Sequence, residues 1–217
     1  LFALLFFALP SPKVKPWFSV WTVGLAFTLI NLIPYLIPTS DGTLLALLKN
    51  ENELAAANAS LAITRGLAAG RTFSEMEDGL FAVKGASDVF SAPIAYAGYL
   101  RLIENGNFKS AESVLATLSD QAVTEDERCR EEFFLSLATG RTIDSELRAA
   151  AEDVLFADPE SPSSLRTLAL YAFRNGETER AELLTETMRK RDEVWYLAGE
   201  ARSALKAARI AMRGEKE

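Results

Sequence analysis

Between positions 17 and 38 the chain carries no charged side chain, a stretch of twenty-two residues that opens on Trp17 and closes on Pro38. At about 1.5 Å per residue, such a helix covers the roughly 30 Å of hydrocarbon in a bilayer. Residues 17–38 are therefore expected to be a transmembrane segment. Trp17 and Trp21 lie near its start, where amphipathic rings favour the headgroup level, and Lys13 and Lys15 lie just outside it. Residues 1–9 read as the tail of a preceding span, ended by Pro10, Pro12 and Pro16, which lack the amide donor that continues a helix. The chain opens at Leu1, inside this apolar run and with no basic region ahead of it, so the expectation is a fragment of a longer product.

Charge divides the chain in the same place. Up to Leu48 the only charged side chains are Lys13, Lys15 and Asp41, a balance of +1; since the whole chain carries -7, the remainder carries -8. Two different solvents are implied, and two regions follow: a membrane segment over 1–48 and a second domain over 49–217. An acidic second domain without a basic stripe excludes nucleic acid as a partner, because phosphate binding requires clustered Lys and Arg. Cys129 is the single cysteine, so no intramolecular disulfide can form, and it is expected to be a helix packing residue. The chain contains no histidine. These residues alone therefore cannot build a His-ligated zinc site, a Ser-His-Asp or Cys-His nucleophile, or an H-E-x-x-H helix.

Asn31 and Pro34 interrupt the apolar span with a carboxamide and a carbonyl freed by the proline, both of which need partners in hydrocarbon. Asn31-Leu32-Ile33-Pro34 is followed by Ser40-Asp41-Gly42 and then by apolar Leu44-Leu45-Ala46-Leu47-Leu48. This order resembles the second motif of the site-2-protease family of intramembrane zinc metallopeptidases, N-x-x-P, a short link, then D-G. Thr43 stands where that motif has a second glycine. The resemblance implies that Asp41 is a zinc ligand, completing a site with two histidines of an upstream H-E-x-x-H helix. It also implies that Asn31 and Pro34 help to hold substrate. A catalytic zinc keeps three protein ligands and an open position for water, so this chain alone, lacking the histidines, is expected to be inactive. Without the metal, Asp41-Gly42 reads as an ordinary turn with Asp41 capping the next helix.

Beyond Asn50 alanine, leucine and glutamate dominate and no alternating strand pattern appears. Gly70, Gly106, Gly140 and Gly176 recur at spacings of 36, 34 and 36 residues, each ending an apolar-periodic stretch. Such periods predict stacked helical hairpins, four of them, with glycine supplying the left-handed turn. Asn105-Gly106 and Asn175-Gly176 have parallel flanks, including Ala111 and Ala181 five residues on, where a small side chain lets helices approach. Leu165, Leu168, Ala169, Ala172, Gly176 and Ala181, after Asp158-Pro159, resemble the tetratricopeptide repeat, with Tyr99 and Ala169 at positions where that repeat has smaller residues. A terminal helix containing Trp195, Tyr196, Leu197, Ala201, Ala204, Leu205 and Ala208 is expected to cover the last hairpin, with Lys206, Arg209 and Arg213 toward its C-terminal end. The Asp and Glu residues of this domain are expected on solvated faces.

The expected fold is all-α: transmembrane helical segments followed by an α-solenoid of tetratricopeptide-like hairpins, whose concave face takes a protein or peptide partner. The expected function is that of the C-terminal portion of a zinc metalloprotease, an integral membrane protein with its repeat domain in the cytoplasm. The alternative is a non-catalytic, membrane-anchored tetratricopeptide-like adaptor. Lys13 and Lys15 by themselves place their loop in the cytoplasm, opposite to the repeat domain across a single crossing; the family resemblance and the lone cysteine favour the cytoplasmic repeat domain.

Overall fold

The computed structural model describes residues 46–191 and 197–214, and every element in them is helical. Residues 17–38 and the proposed site residues Asn31, Pro34 and Asp41 lie outside the described residues. Among the described residues no helix is long and apolar enough to cross a membrane. The chain divides into two compact units, Leu1–Leu54 and Ala55–Glu217, and the hairpins belong to the second.

The helices are α1 (Glu51–Ala68), α2 (Asp88–Glu104), α3 (Phe108–Leu115), α4 (Glu125–Thr139), α5 (Ser145–Ala157), α6 (Pro162–Arg174), α7 (Thr178–Arg191) and α8 (Ala198–Arg213), with 3₁₀ turns at Phe73–Glu75 and Asp78–Phe81. Side-chain caps set three of their starts. Thr124 and Glu127 form a reciprocal capping box at α4, the Asp144 carboxylate accepts from the Leu147 amide at 2.7 Å, and Ser161 precedes Pro162 at the first turn of α6.

The four periodic glycines all have positive φ, between 70° and 80°. In each case the next residue's amide donates to the carbonyl five residues back: Arg71 to Gly66, Asn107 to Leu102, Arg141 to Ser136 and Glu177 to Ala172, at 2.9 to 3.0 Å. This is the Schellman ending, which satisfies orphan carbonyls and turns the chain back. Three of these turns lead into helices, giving hairpins α2/α3, α4/α5 and α6/α7.

The fourth expected hairpin differs. After Gly70, Thr72 and Glu75 form the same kind of capping box, but the chain becomes extended at Met76 (φ -93°, ψ 155°) and continues as the two 3₁₀ turns. Phe73 and Met76 are both buried and anchor the segment, while Glu75, Glu77, Asp78 and Gly79 supply no apolar stripe for a longer helix.

Ala111 and Ala181 are buried where their hairpins close, as their small size requires. The main core runs from Ala56, Ile63 and Leu67 through Ile103, Phe133, Phe134 and Leu155, and a smaller cluster of Leu165, Ala169, Met188, Ala204 and Ala208 joins α6, α7 and α8. Helix α8 covers the last hairpin, but it also packs on α2 and the Phe73–Glu75 turn. In a simple stack each unit meets only its neighbours, so this return is an added closure. Gly199 makes it possible: a Cβ there would lie 1.9 Å from the Arg71 carbonyl oxygen.

Candidate functional site

The residues expected to hold zinc and substrate, Asp41, Asn31 and Pro34, cannot be placed relative to one another, being outside the described residues. Among the described residues, no group of three or more potential ligands is arranged to hold a metal ion. What the helices do bring together are two buried carboxylate centres, and these correct the expectation that the acidic residues of this domain lie on solvated faces. Glu104 and Glu131 are both fully buried, because each gathers enough donors to offset the cost of leaving water.

Glu131 on α4 sits at the first centre. Tyr99 of α2 donates to its Oε2 at 2.9 Å and Tyr96 to its Oε1 at 3.4 Å, while Arg166 of α6 forms an ion pair with Oε2 and Arg130 Nε lies 3.7 Å from Oε1. Three consecutive hairpins are thus joined through one carboxylate. Tyr96, Arg130 and Arg166 each stand ten positions before their glycine, Gly106, Gly140 and Gly176, so the repeat itself brings them into register. The Arg166 guanidinium also lies 4.3 Å from the centre of the Phe134 ring, a cation–π contact that supports a buried cation whose Nε has no hydrogen-bond partner.

Burial, followed by the charge of Glu131, raises both tyrosine hydroxyls well above the ordinary phenol range, so they are fixed as neutral donors. For Arg130, burial works against the charge, but Glu131, Tyr96 and Glu127 together outweigh it and the guanidinium is raised further. A carboxylate so supplied with donors, and closed from solvent, holds elements together and has no open face for a substrate proton. This centre organises the fold.

Glu104, the last residue of α2, sits at the second. It accepts from the Ser74 amide at 3.1 Å, Ser203 Oγ at 2.9 Å and Lys206 Nζ at 3.0 Å, and also from the Ser74 hydroxyl. Burial pushes its carboxyl upward, but the hydrogen bonds of Ser74, Thr72, Lys206 and Ser203 outweigh it and hold the group below the usual carboxylate range. Lys206, expected to serve the C-terminal end of α8, turns inward to this carboxylate instead. Arg202 Nη1 donates to the Gly70 carbonyl at 2.9 Å and Ser203 Oγ accepts from the Phe73 amide at 3.2 Å, so α8 is tied to the first turn at several points.

Cys129 is half-buried against the main core, as a packing residue should be. Burial, with Glu132, Asp126 and Glu125 nearby, raises its thiol and makes it a poor nucleophile.

Open grooves lie elsewhere. One of about 390 Å³ runs between α3, α4 and α5 over Leu115, Leu135 and Leu147; another of about 250 Å³ lies between α6, α7 and α8. The buried centres were missed in the sequence, although the shared register of Tyr96, Arg130 and Arg166 before the glycines was a signal of them. No family model, curated protein or solved structure matches this chain.

Proposed function

We propose that this chain is the C-terminal portion of an intramembrane zinc metalloprotease, hydrolysing peptide bonds within or near the membrane, and that its helical hairpins form a tetratricopeptide-like domain for a protein partner. The protease half rests on the order Asn31, Pro34, Asp41, Gly42 beside twenty-two uncharged residues. A carboxylate at a membrane boundary is costly unless a cation meets it. Zinc supplies that cation and, with an open coordination position, activates water for peptide hydrolysis. This chain offers one carboxylate and no histidine, so it fits as one third of a three-ligand set, completed by two histidines from a separate helix. Asn31 and the Pro34 break would orient substrate beside it. The binding half is carried by one observation, the repeated Schellman turn, which at Gly106, Gly140 and Gly176 builds three successive hairpins of the kind that stack and present a shared face.

A non-catalytic, membrane-anchored adaptor is the second reading, favoured by the absence of histidine from all 217 residues. Zinc analysis of protein extended upstream of Leu1 separates the two. Under the protease reading, the extended protein contains H-E-x-x-H, binds zinc and cleaves a membrane-embedded peptide, and Asp41→Ala removes both properties together. An extension without that helix leaves the adaptor. Retention of zinc and cleavage by Asp41→Ala makes Asp41 a helix cap only.

A further inference from the structure

The groove between α6, α7 and α8 has an apolar floor of Phe173, Ala181 and Met212, with Thr178 and Thr185 beside it and Arg209 and Arg213 along one wall. Phe173 remains 39 % exposed. Among the described residues neither Arg209 nor Arg213 has a hydrogen-bond or ion-pair partner, although the domain around them is strongly acidic and most other described arginines have partners. They stand four residues apart on one face of α8, a spacing at which like charges repel. The helix dipole accounts for a cation in the last turn, which is Arg213, but not for a second one beside it at an apolar floor. At about 250 Å³ the groove is smaller than the roughly 300–1,000 Å³ typical of small-molecule pockets and suits one or two side chains of a peptide.

We infer that this groove docks an acidic segment of a protein partner, with an aromatic or leucine side chain seated on Phe173 and Met212 and flanking carboxylates paired with Arg209 and Arg213. Guanidinium forks pair with carboxylates through two parallel hydrogen bonds, giving both attraction and orientation. Glu182 on the opposite wall directs those carboxylates toward α8 and away from α7. The inference rests on the protein-binding part of the proposed function and names the chemistry of the partner.

The test uses the full chain in uncharged detergent and a fluorescein-labelled peptide with a Phe-Leu pair between glutamates, against the same peptide with lysines. Anisotropy should show the glutamate peptide binding at least about tenfold more tightly. Arg209→Glu and Arg213→Glu should each weaken it about tenfold or more, Arg209→Lys less than Arg209→Glu, and Phe173→Ser should also weaken it. Both arginines are exposed, so folding, checked by circular dichroism, should be unchanged. Tighter binding of the lysine peptide, no binding of either peptide, or glutamate-peptide binding that survives the double charge reversal, overturns the inference. Selection from a random displayed peptide library separates the two levels. Binders insensitive to the double reversal overturn the groove while leaving the protein-binding reading intact, whereas no binders at all overturn both.

Discussion

Tyr99 donates its hydroxyl to Glu131 Oε2 across 2.9 Å, joining α2 to α4 at a point where both side chains are fully buried. The contact gives the large side chain of Tyr99 a role that a small one could not fill: the ring is buried between hairpins and its hydroxyl satisfies a carboxylate. Tyr99→Phe keeps the ring and removes the donor. It should lower unfolding free energy by about 1.5–3 kcal/mol, the value of a hydrogen bond to a charged group, measured by urea denaturation with an unchanged slope. Arg166→Met should cost more, about 3–5 kcal/mol, since it breaks a buried ion pair from one side. A near-zero effect of both would remove Glu131 from the organisation of the fold.

Glu104 makes stability depend on pH in a definite direction. Its folded carboxyl is held below the unfolded value of 4.5. A group lowered on folding contributes stability that is fully present above its unfolded value and is lost as pH falls through the folded one. Stability measured from about pH 6 down to about pH 3 should therefore drop less steeply for Glu104→Gln than for the unaltered chain. Using the difference between the two curves removes the contribution of the remaining carboxylates. Parallel curves would mean that Glu104 titrates alike in both states.

Two glycines of identical backbone role separate conformational strain from crowding. Gly106 and Gly176 have φ of 75° and 78°, yet a Cβ on Gly106 would meet Ile210 Cγ2 at 2.9 Å, whereas one on Gly176 meets nothing within 4 Å. Gly176→Ala should cost about 1–2 kcal/mol from the left-handed conformation alone, and Gly106→Ala should exceed it unless Ile210 turns aside. Thermal midpoints of the two variants decide this; equal losses would show that α8 yields freely at that contact.

Three of the four expected hairpins could be read from the sequence because their causes are local. Thr124 with Glu127, Asp144, Ser161 with Pro162, and the glycines at intervals of 36, 34 and 36 residues act on neighbours within one or two turns. The buried centres could not be read in the same way. Glu131 is satisfied by Tyr99 and Arg166, 32 and 35 residues away, and Glu104 by Ser203, 99 residues away, so an acidic residue that looks solvated in its own helix changes character only when distant helices arrive. The return of α8 was equally hidden, since Gly199 looks like a weak point in a helix until Arg71 is placed against it.

Gly199→Ala tests that return. The added Cβ would fall 1.9 Å from the Arg71 carbonyl oxygen and 2.9 Å from the Leu67 Cα, both backbone atoms that cannot rotate away. Alanine favours helix by about 1 kcal/mol over glycine, so an undocked α8 would gain stability from the change. The docked helix should instead lose at least about 1–3 kcal/mol from overpacking, with amide exchange rising at Phe73, whose N–H is held by Ser203. An unaltered or raised midpoint would show that α8 does not press against the first turn.

Residues 17–38 are uncharged and long enough to span a bilayer, while among the described residues no helix has that length and apolarity. Expressed full chain should therefore stay in the membrane pellet after alkaline carbonate extraction, and deletion of the residues before Asp41 should release it. The acidic charge of the remaining chain favours solubility once the apolar segment is gone. Circular dichroism of the released protein should stay helical, because the hairpins bury their own core through residues beyond Ala55. Recovery of most of the full chain in the carbonate supernatant would remove the transmembrane segment, and with it the setting in which Asp41 meets a metal at a membrane boundary.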